Sequence, residues 1–179
     1  MTYSELQTAI KDYLQNTETT FVTDLPTIIK QAEERILKMI RLPVFRKNVQ
    51  GSLTDGNQYL ATPSDFMDSF SVATISSNTY NYLIKTDVSF IREAYPTTTT
   101  KGAPKHYALF DDDTFIVGPT PDADYTAELH YFYRPTSITA GADSGTTWLS
   151  TNATNALLYG CLLEGYTYMK GEPEMMNLY

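Results

Sequence analysis

The sequence has 179 residues, a length that suits one domain able to bury a hydrophobic core without disulfide bonds. Its 13 basic and 21 acidic residues give a formal net charge of -8, which argues against a protein that binds nucleic acid through phosphate contacts. The single cysteine, Cys161, excludes an internal disulfide, and no apolar run reaches the roughly 20 residues of a membrane span. The first residues lack the basic and apolar regions of a secretory signal. We therefore expect a soluble protein made in a reducing cytoplasm.

Two amphipathic helices are predicted at the start of the chain. Thr2 and Glu5 have the spacing of a capping box, and apolar residues recur behind them at helical intervals. A second helix is predicted from about Asp24, with Pro26 in its first turn and Pro43 beyond its end. Its expected core face consists of Leu25, Ile28, Ile29, Ala32, Ile36, Met39 and Ile40. Its expected solvent face consists of Lys30, Glu33, Glu34 and Lys38.

The middle of the chain, residues 45–147, is predicted to be rich in β-strands, because short β-branched and aromatic runs alternate with turn residues. Strands are expected at 46–53, 58–60, 69–76, 80–85, 105–110, 114–117 and 125–134. The strands 69–76 and 80–85 are expected to form a hairpin. A short helix is expected after Asp87, and residues 137–147 are expected to form a loop.

A last helix is predicted over 153–170, after an N-cap at Ser150 or Thr151, and it is apolar on almost every side. Such a helix is enclosed by its own domain or shared with other copies of the protein. The residues expected to pack in the core or between subunits are Leu157, Leu158, Gly160, Leu162, Leu163 and Tyr166. The sequence is compatible both with packing in the core and with packing between subunits.

These elements predict an α+β fold, in which an N-terminal antiparallel helix pair and the C-terminal apolar helix form a small bundle. The strand-rich antiparallel middle is then an insertion. Residues 1–44 and 148–179 are assigned to the bundle and 45–147 to the β-rich part of a single compact subunit.

No arrangement of residues typical of catalysis, metal binding or cofactor binding is found in the sequence. His106 and His130 lack ligand spacing, and the acidic run 111–113 lacks the glycine and the glutamate of a calcium loop. Neither a nucleophile elbow nor a phosphate-binding glycine loop occurs. We therefore predict no enzyme, no catalytic residue, no metal, no cofactor and no small-molecule substrate. A small hydrolase using Asp65, Asp122 or Glu128 is a less favoured alternative.

The 14 tyrosines are the unusual feature of the composition. The runs 80–82 and 131–133 are predicted to be half-buried sheet residues, a protein–protein surface, or an aromatic shelf for a sugar. The last of these supports an alternative function, an aromatic-rich tail module that binds a glycan or receptor.

Several segments in order resemble one known family. They are 1–6 (MTYSEL), 29–36 (IKQAEERI), 59–66 (YLATPSDF), 102–107 (GAPKHY), 116–122 (IVGPTPD), 131–133 (YFY), 148–149 (WL) and 155–165 (NALLYGCLLEG). Together they resemble the head-to-tail adaptors of tailed bacteriophages, also called connector or tail accessory proteins.

The resemblance implies a structural protein of the virion neck, made in the bacterial host cytoplasm. Members of this family form a ring, commonly of twelve copies, between the portal protein and the tail or nozzle proteins. The ring extends the channel through which DNA leaves the capsid, and the DNA passes through it without sequence-specific binding. The C-terminal segment often reaches the portal, so docking is expected at Met175, Met176, Leu178 and Tyr179. A negatively charged ring would not retain the DNA by counterion release.

Overall fold

The computed structural model describes residues 1–170, and it confirms the predicted α+β class with antiparallel sheets. The helices are α1 (Tyr3–Leu14), α2 (Thr19–Met39), α3 (Val88–Ala94), α4 (Trp148–Asn152) and α5 (Thr154–Tyr168), with 3-10 turns at Pro43–Phe45 and Ile138–Ala140. The strands are β1 (Arg46–Leu53), β2 (Tyr59–Ala61), β3 (Phe66–Ser76), β4 (Thr79–Tyr82), β5 (Ile84–Lys85), β6 (His106–Asp111), β7 (Thr114–Gly118) and β8 (Tyr125–Tyr133).

The chain divides into two compact units. Within residues 1–170, one unit, the helical unit, consists of Met1–Arg41 and residues 135–170, and the other, the strand unit, is Leu42–Arg134. Residues 135–147, which the sequence analysis grouped with the strands, belong to the helical unit by their contacts.

The helical unit contains α1, α2, α4 and α5. The predicted capping box begins α1, because the Thr2 hydroxyl accepts from the Glu5 amide and the Glu5 carboxylate accepts from the Thr2 amide. The apolar sides of α1 and α2 both pack against α5. The buried hydrophobic residues of these three helices are Tyr3, Leu6, Ile10, Leu14, Phe21, Leu25, Ile28, Ile29, Ala32, Leu37, Leu157, Cys161 and Leu162.

The second helix differs from the prediction at both ends. It begins at Thr19, so Pro26 lies inside the helix instead of in its first turn. Phe21, which is buried, extends the apolar side by one turn toward the N-terminus, and this gain in buried surface favours the longer helix. Met39 and Ile40 were predicted to face the core, but 77% and 47% of their surfaces are exposed.

The last predicted helix is interrupted. Trp148–Asn152 forms a helix of its own, α4, in which Thr147 and Ser150 make a capping box. The prediction of an N-cap at Ser150 or Thr151 is therefore wrong. Ala153, with φ of -132° and ψ of 43°, leaves the helical conformation and separates α4 from α5.

Two four-stranded sheets form the strand unit. The first sheet has the order β1-β8-β3-β4, and every neighbouring pair in it is antiparallel. The second sheet has the order β2-β7-β6-β5, with β5 parallel to β6. The predicted hairpin is present as β3 and β4, and Ser77 and Asn78, both with positive φ, form its turn. The chain then leaves the first sheet, because Ile84–Lys85 pairs in the second.

The core of the strand unit lies between the two sheets. It contains Leu53, Leu60, Val72, Leu83, Tyr107, Phe115, Val117, Ala127, Leu129 and Tyr131. A smaller cluster of Ile91, Ala108 and Ile116 lies where α3 packs on β6 and β7. One face of the second sheet thus meets the first sheet, and α3 covers β6 and β7 on the other.

Candidate interaction surfaces

Helix α5 has one fully buried side. Leu157, Cys161, Leu162 and Gly165 are buried there, while Leu158 and Gly160 are half-buried. A β-carbon at Gly160 would lie 3.4 Å from Ile36 Cδ1, which is an ordinary contact with α2. These residues therefore pack within the helical unit.

The opposite side of α5 carries a second apolar row. Ala156, Tyr159, Leu163 and Tyr166 follow one another at intervals of three, four and three residues, so they share one side of the helix. Ala156 and Tyr159 are exposed, and Leu163 and Tyr166 are half-buried. We call these four residues the outer α5 stripe. An apolar row on the outside of a helix is typical of a surface that a partner covers.

The residues predicted to dock on the portal, Met175, Met176, Leu178 and Tyr179, lie outside the described residues.

The outer face of the first sheet is aromatic. The irregular pairing between Ser69 and Ser71 leaves Phe70 without a partner on β8, and Phe70 contacts the His130 ring at 5.0 Å between centroids. The Arg46 guanidinium carbon lies 4.0 Å from the centroid of Phe70 and 5.0 Å from that of Phe132. Such stacking leaves the guanidinium charge on an apolar surface.

Two tyrosines continue this face toward the edge of the sheet. Tyr82 pairs with Ala73, which pairs with Glu128, and Glu128 pairs with Gln50, so all four share one face. Tyr80 lies two residues before Tyr82 on the same face, and their rings stack at 6.5 Å. Their exposed fractions are 48% and 67%. Tyr80 and Tyr82 were recognisable from the sequence, whereas Arg46 and Phe70 were not, because a bulge and a cross-strand stack leave no sequence pattern.

The second predicted aromatic run does not form a shelf. Tyr131 is buried between the sheets, and its hydroxyl donates to Asp65 Oδ1 at 2.8 Å, while Phe132 points to the opposite, outer face. Burial raises the pKa of Tyr131, and the adjacent Asp65 carboxylate adds to the effect, bringing it to about 12. Tyr131 is therefore a structural residue, as strand alternation dictates.

Asp65 is also occupied by structural contacts. Its Oδ2 accepts from Lys47 Nζ at 2.6 Å. Partial burial pushes the pKa of Asp65 up, but the hydrogen bonds from Lys47 and Tyr131 outweigh it and hold the pKa below its usual range. A carboxylate with a lowered pKa is a poor general acid at neutral pH.

The two histidines lie in different sheets. His106, on β6, has its Nδ1 2.9 Å from the Tyr95 hydroxyl, and His130, on β8, contacts Phe70. Among residues 1–170, no group of three or more His, Cys, Asp or Glu side chains is arranged to hold a metal ion. Within the same range, no helix has the length and apolar character needed to cross a membrane.

Glu33 was predicted to face solvent but is only 5% exposed. Its Oε1 accepts from the Ile138 amide at 3.1 Å, which ties the 3-10 turn after Ser137 to α2. Burial raises the pKa of Glu33, and this is opposed by the Ser137 hydroxyl, the Ile138 amide and Lys30. No local sequence pattern indicates this contact, because Glu33 and Ile138 are 105 positions apart.

Cys161 is fully buried in α5. Burial raises the pKa of its thiol, and the Glu33 and Glu164 charges raise it further. The thiol is therefore unreactive and serves as a small apolar group in the helical unit.

The sequence model of the SU10 adaptor protein family matches residues 1–179. The match spans the helical unit and the strand unit alike, and it confirms the resemblance found in the sequence. No curated protein matches the chain.

Proposed function

The chain belongs to the SU10 adaptor protein family and is thus a phage head-to-tail adaptor, and we propose that it forms a ring between the portal and the tail that extends the DNA exit channel. The observation that carries the proposal is the family match over the entire sequence. An adaptor is a structural component of the virion that contacts other head or tail proteins. Twelve copies is the number that the resemblance to these adaptors implies.

The outer α5 stripe supports self-assembly. Leu163 and Tyr166 are half-buried on the side of α5 that faces away from Leu157 and Cys161. Obligate interfaces are large and apolar, and a helix that is apolar on both sides offers one side to its own core and the other to a neighbour. We infer that Leu163 and Tyr166 pack between subunits and that Leu157 and Leu162 pack in the core.

The net charge supports a channel component that lets DNA pass. At -8 for each copy, a ring has little tendency to bind phosphates, so DNA contacts are weak and without sequence specificity. The proposed role requires no substrate, cofactor or chemical step, and we propose that the protein is not an enzyme. We place it in the virion neck after its synthesis in the host cytoplasm.

Electron microscopy tests the ring directly. Protein mixed with the portal of its own phage is expected to form a ring beneath the portal, and Leu163→Glu is expected to fold but to abolish the ring. Gln31→Glu adds the same charge at an exposed polar position of α2 and is expected to leave the ring intact. A portal that remains bare with the unaltered protein would refute the proposal.

The aromatic face of the first sheet favours a second candidate, a tail module that binds a glycan or receptor. Exposed aromatic rings with a nearby guanidinium suit the apolar face of a sugar. Saturable sugar binding that is lost in Tyr82→Ala and Phe70→Ala, and retained in the control Tyr59→Ala on the second sheet, would favour this function. Rings that form normally without any sugar binding would exclude it.

A further inference from the structure

The first sheet ends in two strands that each have a free edge. β1 pairs only with β8, and β4 pairs only with β3, within the part of the chain that the structure describes. Every residue from Lys47 to Ser52 is exposed, and so is every residue of β4. A free edge presents unpaired amide and carbonyl groups to any strand that can reach it.

β1 lacks the features that protect natural edges. It contains no proline, and its register with β8 is continuous over eight residue pairs, so no bulge twists it away. Its two cations are directed to the faces of the sheet, since Arg46 stacks on Phe70 and Lys47 binds Asp65. Neither charge therefore blocks the approach of a strand along the edge.

An apolar groove of about 280 Å³ lies beside β1, between it and β2. Val49, Gly51, Leu60, Pro63 and Leu129 are among its lining residues. The space between the two sheets is thus open beside β1, which leaves the edge of this strand accessible.

The two free edges are complementary in direction. Strands in the order β1-β8-β3-β4 alternate, so β4 runs antiparallel to β1 within one subunit. Consider a neighbouring copy whose first sheet has its outer face on the same side. Its β4 then lies antiparallel beside β1, and the two first sheets form one continuous antiparallel sheet. That contact is head-to-tail, and head-to-tail contacts form a ring where the rotation between copies closes, whereas two like edges give only a dimer.

The side chains on the two edges also suit each other. β4 carries no charge, and β1 carries cations only, so no like charges meet in a protein with a net charge of -8. The aromatic rings of Tyr80 and Tyr82 would lie on the same face as Asn48 and Gln50 of the neighbour, where their hydroxyls can bond to amide groups.

We propose that neighbouring copies of this chain are joined by pairing of β4 of one copy with β1 of the next, which makes the first sheets continuous around the assembly. This inference rests on the proposed ring. It identifies which strands meet and predicts their antiparallel direction.

Disulfide cross-linking tests the pairing. Each double variant combines Asn48→Cys or Gln50→Cys with Tyr80→Cys or Tyr82→Cys, since these four positions share the outer face. Within one chain β1 and β4 are separated by two strands, which is about 14 Å and too far for a disulfide, so every cross-link joins two copies. The control combines Gln50→Cys with Asn81→Cys, which point to opposite faces. Cys161 is buried and does not contribute.

Rings assembled on the portal are oxidised and run on a denaturing gel without reductant. We expect at least one same-face double variant to shift most of the protein into a ladder of covalent multimers, with the control and the single variants remaining monomeric. Rings seen by microscopy without a ladder from any same-face pair overturn the strand pairing but leave the ring proposal standing. Dimers from single variants, or an equal ladder from the control, also overturn the strand pairing. If no ring forms at all, both proposals fail.

Discussion

Gly165 of α5 faces Leu14 of α1 so closely that a β-carbon at Gly165 would lie 2.5 Å from Leu14 Cδ1. Alanine at this position requires the terminal methyl of the buried Leu14 side chain to move, because real β-carbons do not approach that closely. This repacking offsets the gain in helix propensity, and we predict that Gly165→Ala lowers the free energy of unfolding by no more than about 1 kcal/mol. Denaturant titration followed by circular dichroism measures it.

Gly160→Ala is the matched control on the same helix. The added methyl meets Ile36 Cδ1 at 3.4 Å and Ala32 Cβ at 3.6 Å, which are ordinary contacts. Because alanine favours helix by up to about 1 kcal/mol over glycine, we expect Gly160→Ala to be neutral or stabilising. If Gly165→Ala and Gly160→Ala change the free energy of unfolding equally, the close approach of Gly165 to Leu14 is contradicted.

Glu33 gives a pH-dependent prediction. Its folded pKa is raised mainly by burial, so its contribution to stability is fully present below the unfolded value of about 4.3 and is lost as pH rises through the folded pKa. Glu33→Gln keeps an acceptor for the Ile138 amide and removes the buried charge. We expect the stability of Glu33→Gln relative to the unaltered protein to increase from pH 4 to pH 8. A constant difference across that range would contradict the prediction.

Glu33→Ala separates the charge from the hydrogen bond. It removes the acceptor and leaves the buried Ile138 amide without its partner, which costs about 1–3 kcal/mol. We expect this loss at pH 4, where Glu33→Gln is close to the unaltered protein. Equal stability of the two variants at pH 4 would show that the contact with Ile138 contributes nothing.

Strong periodic segments were predictable from the sequence, and long-range contacts were not. The capping box at Thr2 and the strand at 46–53 follow from local patterns, and both are present. The burial of Glu33 depends on a loop 105 positions away, and no local pattern encodes it. The break at Ala153 was missed because Thr147 begins its own capped helix within an otherwise helical pattern.

The candidate interaction surfaces were likewise only partly predictable from the sequence. The apolar character of α5 was evident, but which side meets the core depends on how α1 and α2 pack. Tyr80 and Tyr82 were identified from composition, whereas Phe70 joins their face only through the irregular pairing of β3 with β8. The free edges of β1 and β4 follow from the strand order, which the sequence alone left undetermined.

The Tyr131 hydroxyl provides a prediction for the strand unit. Tyr131→Phe removes its bond to Asp65, a bond to a charged group, and we expect a loss of about 1–2 kcal/mol in unfolding free energy at pH 7. Tyr125→Phe is the matched control, because its hydroxyl bonds to the exposed Asp122 and its removal should cost less than about 0.5 kcal/mol.

The effect of Asp65 should depend on pH in the opposite sense to that of Glu33. Although burial raises it, the net pKa of Asp65 is lowered, so its contribution is present above the unfolded value of about 3.9 and is lost as pH falls through the folded pKa. The stability difference between the unaltered protein and Asp65→Asn is therefore expected to shrink between pH 6 and pH 2. Thermal melts at a series of pH values measure it, and a difference that grows on acidification would be the contrary result.

Removal of residues 175–179 tests the proposed portal contact. Met175, Met176, Leu178 and Tyr179 offer apolar surface, and fully burying one such side chain contributes about 1.5–3 kcal/mol. We expect the truncated protein to keep the thermal stability of the full chain but to bind the portal at least about 100-fold more weakly, which corresponds to about 2.7 kcal/mol. A full-length control with serine at these four positions separates the loss of apolar groups from the loss of chain length, and it should bind as weakly as the truncated protein. If both variants attach to the portal with the affinity of the unaltered chain, the docking surface lies elsewhere, and the outer α5 stripe becomes the next segment to test.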